Sequence, residues 1–302
     1  MENLIDFGKL SEVANNMINK ISSAIGWIAT RETPKRAAIN TYIEEIQNSN
    51  LSTLTKSALI YNAKKIIKEY VNQNNIIQRA IPLLTENGNV SAVSDDWIAS
   101  FMDKARLVSD EEFQMVWAKI LAGEMDKPGT YSLRTIDKLK NLSKKEAELF
   151  GKLVSLSFSN GSGRFLIGNE NILKTQDVYL SSVLRMEECG FIVAQELSFE
   201  PMCSKTHPLT FTFGNSLAIV IRSHSDELSR CDFEIYTFTD AGVELAKAVN
   251  VEYNNEFAVV CARKFKEIKE TQYDISLHKI LVEHLDGTIE LDEVDLLKTR
   301  ET

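Results

Sequence analysis

The chain has 302 residues, of which 44% are hydrophobic and 25% charged, with a formal net charge of −9. This composition excludes a disordered chain, and the length exceeds what one hydrophobic core usually organises, so two or more compact units are expected. The acidic balance also excludes a surface that coats nucleic acid through clustered cations.

The charge is unevenly spread. Residues 1–93 carry 10 basic and 8 acidic side chains, whereas 251–302 carry 7 and 12. An anionic partner would therefore prefer the N-terminal half. The four cysteines, Cys189, Cys203, Cys231 and Cys261, form no C-x-x-C pair and read as reduced thiols. No stretch approaches the roughly 18 consecutive apolar residues of a spanning helix, and the N-terminus lacks an apolar run behind basic residues. A cytoplasmic protein without a transmembrane segment is the expectation.

From Leu10, the apolar residues Val13, Met17, Ile21, Ala24, Ile25 and Ile28 fall on one stripe of a helix. The opposite face is polar but nearly uncharged. Packing against the protein or a partner is therefore favoured over a peripheral membrane contact, which draws on cations. Thr33 and Pro34 read as the cap and first residue of a second helix that runs toward Gln47. A third helix follows Ser52 and carries Lys56, Lys64, Lys65, Lys68 and Arg79 against one acid, Glu69. Those cations read first as a solvated face with stems lying along apolar neighbours, and second as a site for nucleic acid or a phosphate-bearing partner.

Ser94 is expected to cap a helix with Trp97, Phe101 and Ala105 on its apolar side, and Ser109 to cap the next, with Phe113, Val116, Trp117, Ile120 and Leu121 buried. Gly123 reads as its stop, Pro128-Gly129 as a turn and Ser132 as a further cap. Trp117 is expected in the core. Glu124 and Arg134 can pair across the Pro128-Gly129 turn and lock it; alternatively they line a binding site with the acids at 110–112.

The stretch Trp117-Ala118-Lys119-Ile120-Leu121-Ala122-Gly123-Glu124, with Pro128-Gly129-Thr130-Tyr131-Ser132-Leu133-Arg134 behind it, resembles a bacterial family filed as domain of unknown function 2806. The likeness covers residues 95–155 best and implies no activity, since that family is uncharacterised. The N-terminal helices are more weakly similar to alpha-type abortive-infection proteins, which implies phage defence by association.

Ser143 with Glu146 forms a capping box for a helix to about Ser157, and the glycines at 161 and 163 end it in a linker or hairpin loop. A helix over 176–189 leads to the β-rich Phe191-Ile192-Val193, and extended segments follow at 209–213, 217–222 and 232–238. Thr239 then caps a helix over 240–249. Helix, helix, strand, hairpin and closing helix is the order of a winged-helix domain, and the run from Phe238 to Leu245 resembles the last helix of such proteins. The helix at 176–189 would then enter a major groove, yet it has one cation, Arg185, against three acids. Protein contacts suit it better than bases. Beyond 250, a helix and a strand reaching Asp286-Gly287 are expected.

The fold class expected is therefore α+β and predominantly helical, a helical bundle over 1–142 followed by a winged-helix-like unit over 143–250 and an extension over 251–302. No phosphate loop, nucleophile elbow or paired-histidine motif is present; His278 with His284 lacks a third ligand type nearby, and Cys203 with His207 lies beside Pro201 and Pro208 in an expected loop rather than on a helix. No catalytic residue, cofactor or metal ligand is assigned, and an enzyme of unfamiliar design stays open. The leading functional expectation is an interaction or regulatory protein, an adaptor in phage defence, that binds a protein partner or itself. Nucleic-acid binding through the winged helix and membrane action through the first helix are the alternatives. The candidate binding residues are Lys56, Lys64, Lys65, Lys68, Arg79, Glu124 and Arg134.

Overall fold

A computed structural model describes residues 11–26, 36–161, 163–269, 271–284 and 287–299. The chain forms two compact units, Met1–Asn141 and Leu142–Thr302. The first is helical and the second is rich in strand, an α+β protein with the helices leading.

In the first unit, α1 (Glu12–Ile25) is capped by the Ser11 hydroxyl, which accepts from Ala14 N, and ends at Gly26 with φ +69°. Its stripe faces inward: Ala14, Met17 and Ile21 are fully buried, and α1 packs on α4 (Asp95–Ala105), where Lys20 meets Asp95 at 2.7 Å. Leu10, Ile28, Thr33 and Pro34 lie outside the described residues. Helices α2 (Arg36–Asn48) and α3 (Thr53–Ala80) form a hairpin, with the Ser52 hydroxyl capping α3. Then come α4, α5 (Glu111–Asp126) and α6 (Leu133–Leu139).

The core of this unit is aromatic at its centre. Trp97 stacks on Phe101 at 5.0 Å between centroids, and Phe101 meets Trp117 at 5.1 Å. Ile76, Ile77, Ile98, Ile120 and Leu121 of the same unit are buried as well. Three local expectations are corrected. The cap of α5 is Asp110, which accepts from Phe113 N, and not Ser109. Ser94 occupies a cap position but its hydroxyl makes no capping bond. Gly123 does not stop α5, which continues to Asp126; the reason for glycine there is tertiary, since a Cβ would come within 2.9 Å of the Tyr131 ring.

The second unit opens with α7 (Lys144–Ser155), where Ser143 and Glu146 make the expected reciprocal capping box. A hairpin, β1 (Phe158–Ser159) and β2 (Arg164–Ile167), precedes α8 (Glu170–Lys174) and α9 (Leu180–Glu188). The helix expected from 176 thus begins at Leu180; Asp177 has φ +51°, which no helix accommodates. Strands β3 (Ile192–Phe199), β4 (Met202–Cys203), β5 (Leu209–Phe213), β6 (Leu217–Ser223), β7 (Ser229–Arg230) and β8 (Phe233–Phe238) lead to α10 (Asp240–Ala248), capped by the Thr239 hydroxyl. Helix α11 (Asn255–Lys269), β9 (Tyr273–Glu283), β10 (Ile289–Leu291) and α12 (Leu296–Thr299) complete it.

Eight strands make one sheet in the order β10-β9-β6-β5-β1-β2-β8-β3, and every neighbouring pair is antiparallel. The β6–β9 register runs from Leu217 opposite Lys279 to Ser223 opposite Tyr273, so residues beyond 250 belong to the same sheet as those before 225. A two-stranded ribbon, β4 with β7, stands apart. Phenylalanines alternate on the strands and meet across them: Phe158 with Phe213 at 4.9 Å, Phe165 with Phe211 at 5.2 Å and Phe211 with Phe233 at 5.5 Å. Helix α11 lies on this layer through Phe257 and Phe265. Phe150 of α7 instead meets Phe191 and Phe238.

Trp117 of α5 is fully buried, with its ring against Phe101 of α4. Truncating such an aromatic costs about 3–5 kcal/mol out of the roughly 5–15 that hold a domain folded. Trp117→Ala is expected to melt well below the wild type or to be insoluble, as thermal denaturation will show; an unchanged melting temperature would contradict this packing.

Candidate functional site

The candidate residues do not converge. Glu124 is 3% exposed, and its two oxygens accept from Gly129 N at 2.6 Å and Tyr131 N at 2.8 Å. The expected pair with Arg134 is therefore not made: a buried carboxylate needs short charge-assisted bonds, and two backbone N–H groups in the turn supply them while Arg134 stays exposed. Arg79 is also placed apart from the lysines, reaching Glu111 at 3.3 Å from the packed end of α3.

Lys56, Lys64, Lys65 and Lys68 do share one feature. They lie on Thr53–Lys68, the half of α3 with no buried residue, because burial starts only at Asn72. Lys56 Nζ donates to Gln47 O at 2.8 Å, tying the end of α2 to the first turn of α3. Among the described residues, Lys64, Lys65 and Lys68 have no ion-pair partner. Between them stand large apolar side chains left in solvent, Leu54 at 81%, Tyr61 at 67% and Ile66 at 64% exposure, with Leu51 and Tyr42 beside them. Leu54 with Tyr61, and Leu59 with Ile66, recur at seven residues, a spacing that keeps each pair on one line of the helix. Spacing alone does not distinguish such a line from a core stripe, which is why the exposure is visible only in three dimensions.

A second exposed surface lies on α9. Val183 and Met186 are buried beneath it, while Tyr179, Leu180 and Leu184 face solvent. Its one cation is engaged: Arg185 lies 3.6 Å from Glu146 and 3.9 Å from Glu188. Backbone and hydroxyl bonds from Ser143, with Arg185 nearby, hold the Glu146 carboxyl below the usual carboxylate range. The neighbouring Cys189 thiol is pushed up by burial and then by Glu146. This face thus presents apolar area with a negative rim.

The remaining chemistry-bearing groups are engaged locally. Burial raises the Cys203 and Cys261 thiols and pushes Cys231 up to about 12, so none is a ready nucleophile. His278 bonds Asp292 O and Ser276 Oγ, and His284 meets Glu290 at 2.9 Å. A shallow depression of the second unit is lined by Lys205, Thr206, Arg222, Ser223, His224, Asp226 and Asp274. There His224 lies 3.4 Å from Asp274, but the Ser223 hydroxyl bonds Ser229 and accepts from Ser225 N instead of engaging the imidazole. No nucleophile and base are joined in it.

Glu124 therefore reads as a structural clasp, with a direct consequence. Glu124→Gln removes the charge from two short bonds, each worth about 1.5–3 kcal/mol, and is expected to lower the melting temperature clearly, whereas the exposed Arg134→Ala is expected to shift stability by no more than about 0.5 kcal/mol. Equal losses in the two variants, read by thermal or urea denaturation, would restore the ion pair across the turn.

No curated protein and no solved structure matches the chain. The family model described as "Protein of unknown function (DUF2806)" matches residues 61–261, from the exposed half of α3 to the middle of α11 and so well beyond the 95–155 segment of strongest likeness. With two thirds of its length inside that match, the chain belongs to the DUF2806 family.

Proposed function

We propose that this protein is a non-enzymatic interaction protein, an adaptor or regulator, whose second unit is a winged-helix-like module turned from nucleic acid to protein contacts. The observation that carries the reading is the outward face of α9. If α9 is the recognition helix, it offers Tyr179, Leu180 and Leu184 to a partner, and its one arginine is already paired with acids. Phosphate recognition draws on free cations; this face lacks them.

The order α7, β2, α8, α9, β3, β8, α10 supports the winged-helix likeness, as does the side-by-side arrangement β2-β8-β3. Residues 200–232 would then be a long insertion where a wing is short. The large apolar side chains on the α2–α3 hairpin support a protein-binding role in the first unit as well. A role in bacterial phage defence rests on the weaker likeness to alpha-type abortive-infection proteins. The membrane alternative has less support, because Ala14, Met17 and Ile21 of the α1 stripe are buried while Val13, Ala24 and Ile25 are half-buried. Nucleic-acid binding keeps one favourable observation, the unpaired Lys64, Lys65 and Lys68.

Two measurements test this. In fluorescence anisotropy at near-physiological salt, duplex DNA is expected to bind no more tightly than non-specific association, about 10⁻⁴–10⁻⁶ M; tight binding abolished by Arg185→Ala would overturn the reading. In pull-downs from its native cells, with and without phage, a partner held by the wild type is expected to be lost from Leu180→Asp/Leu184→Asp while the melting temperature stays within a degree or two. Retention of every partner by that variant would exclude α9.

A further inference from the structure

The open depression of the second unit is held in shape by its own hydrogen bonds. Its volume is about 790 Å³, within the range of small-molecule sites. Its wall comes from three places in the chain: Lys205 and Thr206 before β5, the end of β6 with the loop that follows it, and Asp274 of β9. Buried hydroxyls tie these loops down. Ser223, 4% exposed, accepts from Ser225 N at 3.1 Å and from Ser229 Oγ at 2.9 Å. Ser204, also buried, accepts from His207 N at 3.2 Å. Lys205 N donates to Ser225 O at 2.9 Å from one loop to the other, and His224 N donates to Gln272 O at 3.0 Å. The backbone under Lys205, Arg222 and His224 is thus fixed before a ligand arrives, which lowers the ordering cost of binding.

The cations of the wall keep most of their donors. Of the seven residues of β6, only Arg222 is exposed. Asp274 stands directly opposite it on β9, a placement in which opposite charges commonly pair. They do not pair here. Asp274 lies 3.4 Å from His224 instead, and among the described residues the Arg222 guanidinium makes one contact, a donation to Lys205 O at 3.5 Å. Lys205 has no ion-pair partner among the described residues. A guanidinium and an ammonium therefore line one depression with donors that no carboxylate of the described residues takes up.

We propose that this depression binds a small phosphate monoester, with Arg222 and Lys205 donating to the phosphoryl oxygens. Two cations match a phosphoryl dianion better than a single carboxylate, and the planar guanidinium can donate to two oxygens at once. The wall also holds acids, Asp226 and Asp274. They repel the further phosphates of a nucleic-acid strand, so a polyanion fits poorly, whereas hydroxyl or amino groups on the organic part of a small ligand can donate to them. A sugar phosphate or a nucleoside monophosphate has this makeup. The site does not rest on the reading of α9.

Isothermal titration of the full chain at low salt reads the outcome, with inorganic phosphate, adenosine 5′-monophosphate and acetate as probes. Phosphate is expected to bind with a Kd of about 1 mM and adenosine monophosphate more tightly, while acetate does not saturate up to about 10 mM. Arg222→Ala and Lys205→Ala are each expected to weaken both phosphate probes at least tenfold, because each removes a charge-assisted contact. Asp226→Asn is expected to act with the opposite sign on inorganic phosphate, leaving it as tight or tighter, and to narrow the advantage of adenosine monophosphate. All three side chains are exposed, so the melting temperatures of the variants are expected to stay close to that of the wild type. The proposal is overturned by phosphate that fails to saturate by about 10 mM, by acetate bound as tightly as phosphate, or by phosphate affinity that is indifferent to Arg222→Ala and Lys205→Ala. A loss of inorganic phosphate binding in Asp226→Asn overturns it as well.

Discussion

The first unit depends on one buried carboxylate. Glu124 sits at the end of α5, and its two short bonds to Gly129 N and Tyr131 N set the path of the chain out of the helix. Once Tyr131 is held, its carbonyl accepts the Trp97 indole N–H at 2.7 Å, and its ring settles where Gly123 leaves room. Ser132 can then cap α6 through Thr135 N. A single charge thereby joins α4, α5 and α6, and its desolvation cost is offset because both of its oxygens are bonded.

This gives the family's most specific run a physical meaning. Trp117 and Leu121 fill the core, Gly123 makes space for a ring, Glu124 clasps the turn, and Gly129 supplies the φ of +85° that the turn requires. Each residue type has a steric or hydrogen-bonding role in forming the unit. The motif identifies a fold element, and the surfaces suited to partners lie elsewhere, on the exposed half of α3 and on α9.

How much was legible in the chain follows from how local each signal is. Ser52, Ser132, Ser143 and Thr239 cap helices within three residues of themselves, and the helix starts read from them agree with the structure. Gly123 misled because its neighbour is Tyr131 across the turn, not the next helical residue. Ser109 and Asp110 are both competent caps, and nothing local chooses between them. The strands near 209–213, 217–223 and 233–238 were readable as apolar runs, whereas the pairing of β6 with β9 depends on contacts far apart in the chain. The lysines of α3 were visible as a basic stretch, but the exposure of Tyr61 and Ile66 was not, since periodic apolar residues look alike whether they meet a core or a partner.

Helix α3 runs unbroken for 28 residues, about 42 Å, with no glycine or proline inside it. Its inner half is anchored by Ile76 and Ile77 in the core and by Asn72 and Gln73, whose side-chain amides donate to Arg106 O and Met102 O. Its outer half packs on α2 and has no buried residue. A helix with no glycine or proline inside it lacks the usual sites of a sharp kink, so a load applied to the outer half meets no built-in hinge along the way. It arrives at the loop between α4 and α5, where Arg106 also bonds Glu69 and Asp103. A load on the outer half of α3 is thus carried toward the loop that joins α4, which bears Trp97 and Phe101, to α5, which bears Trp117, and the distance between surface and core is mechanical length.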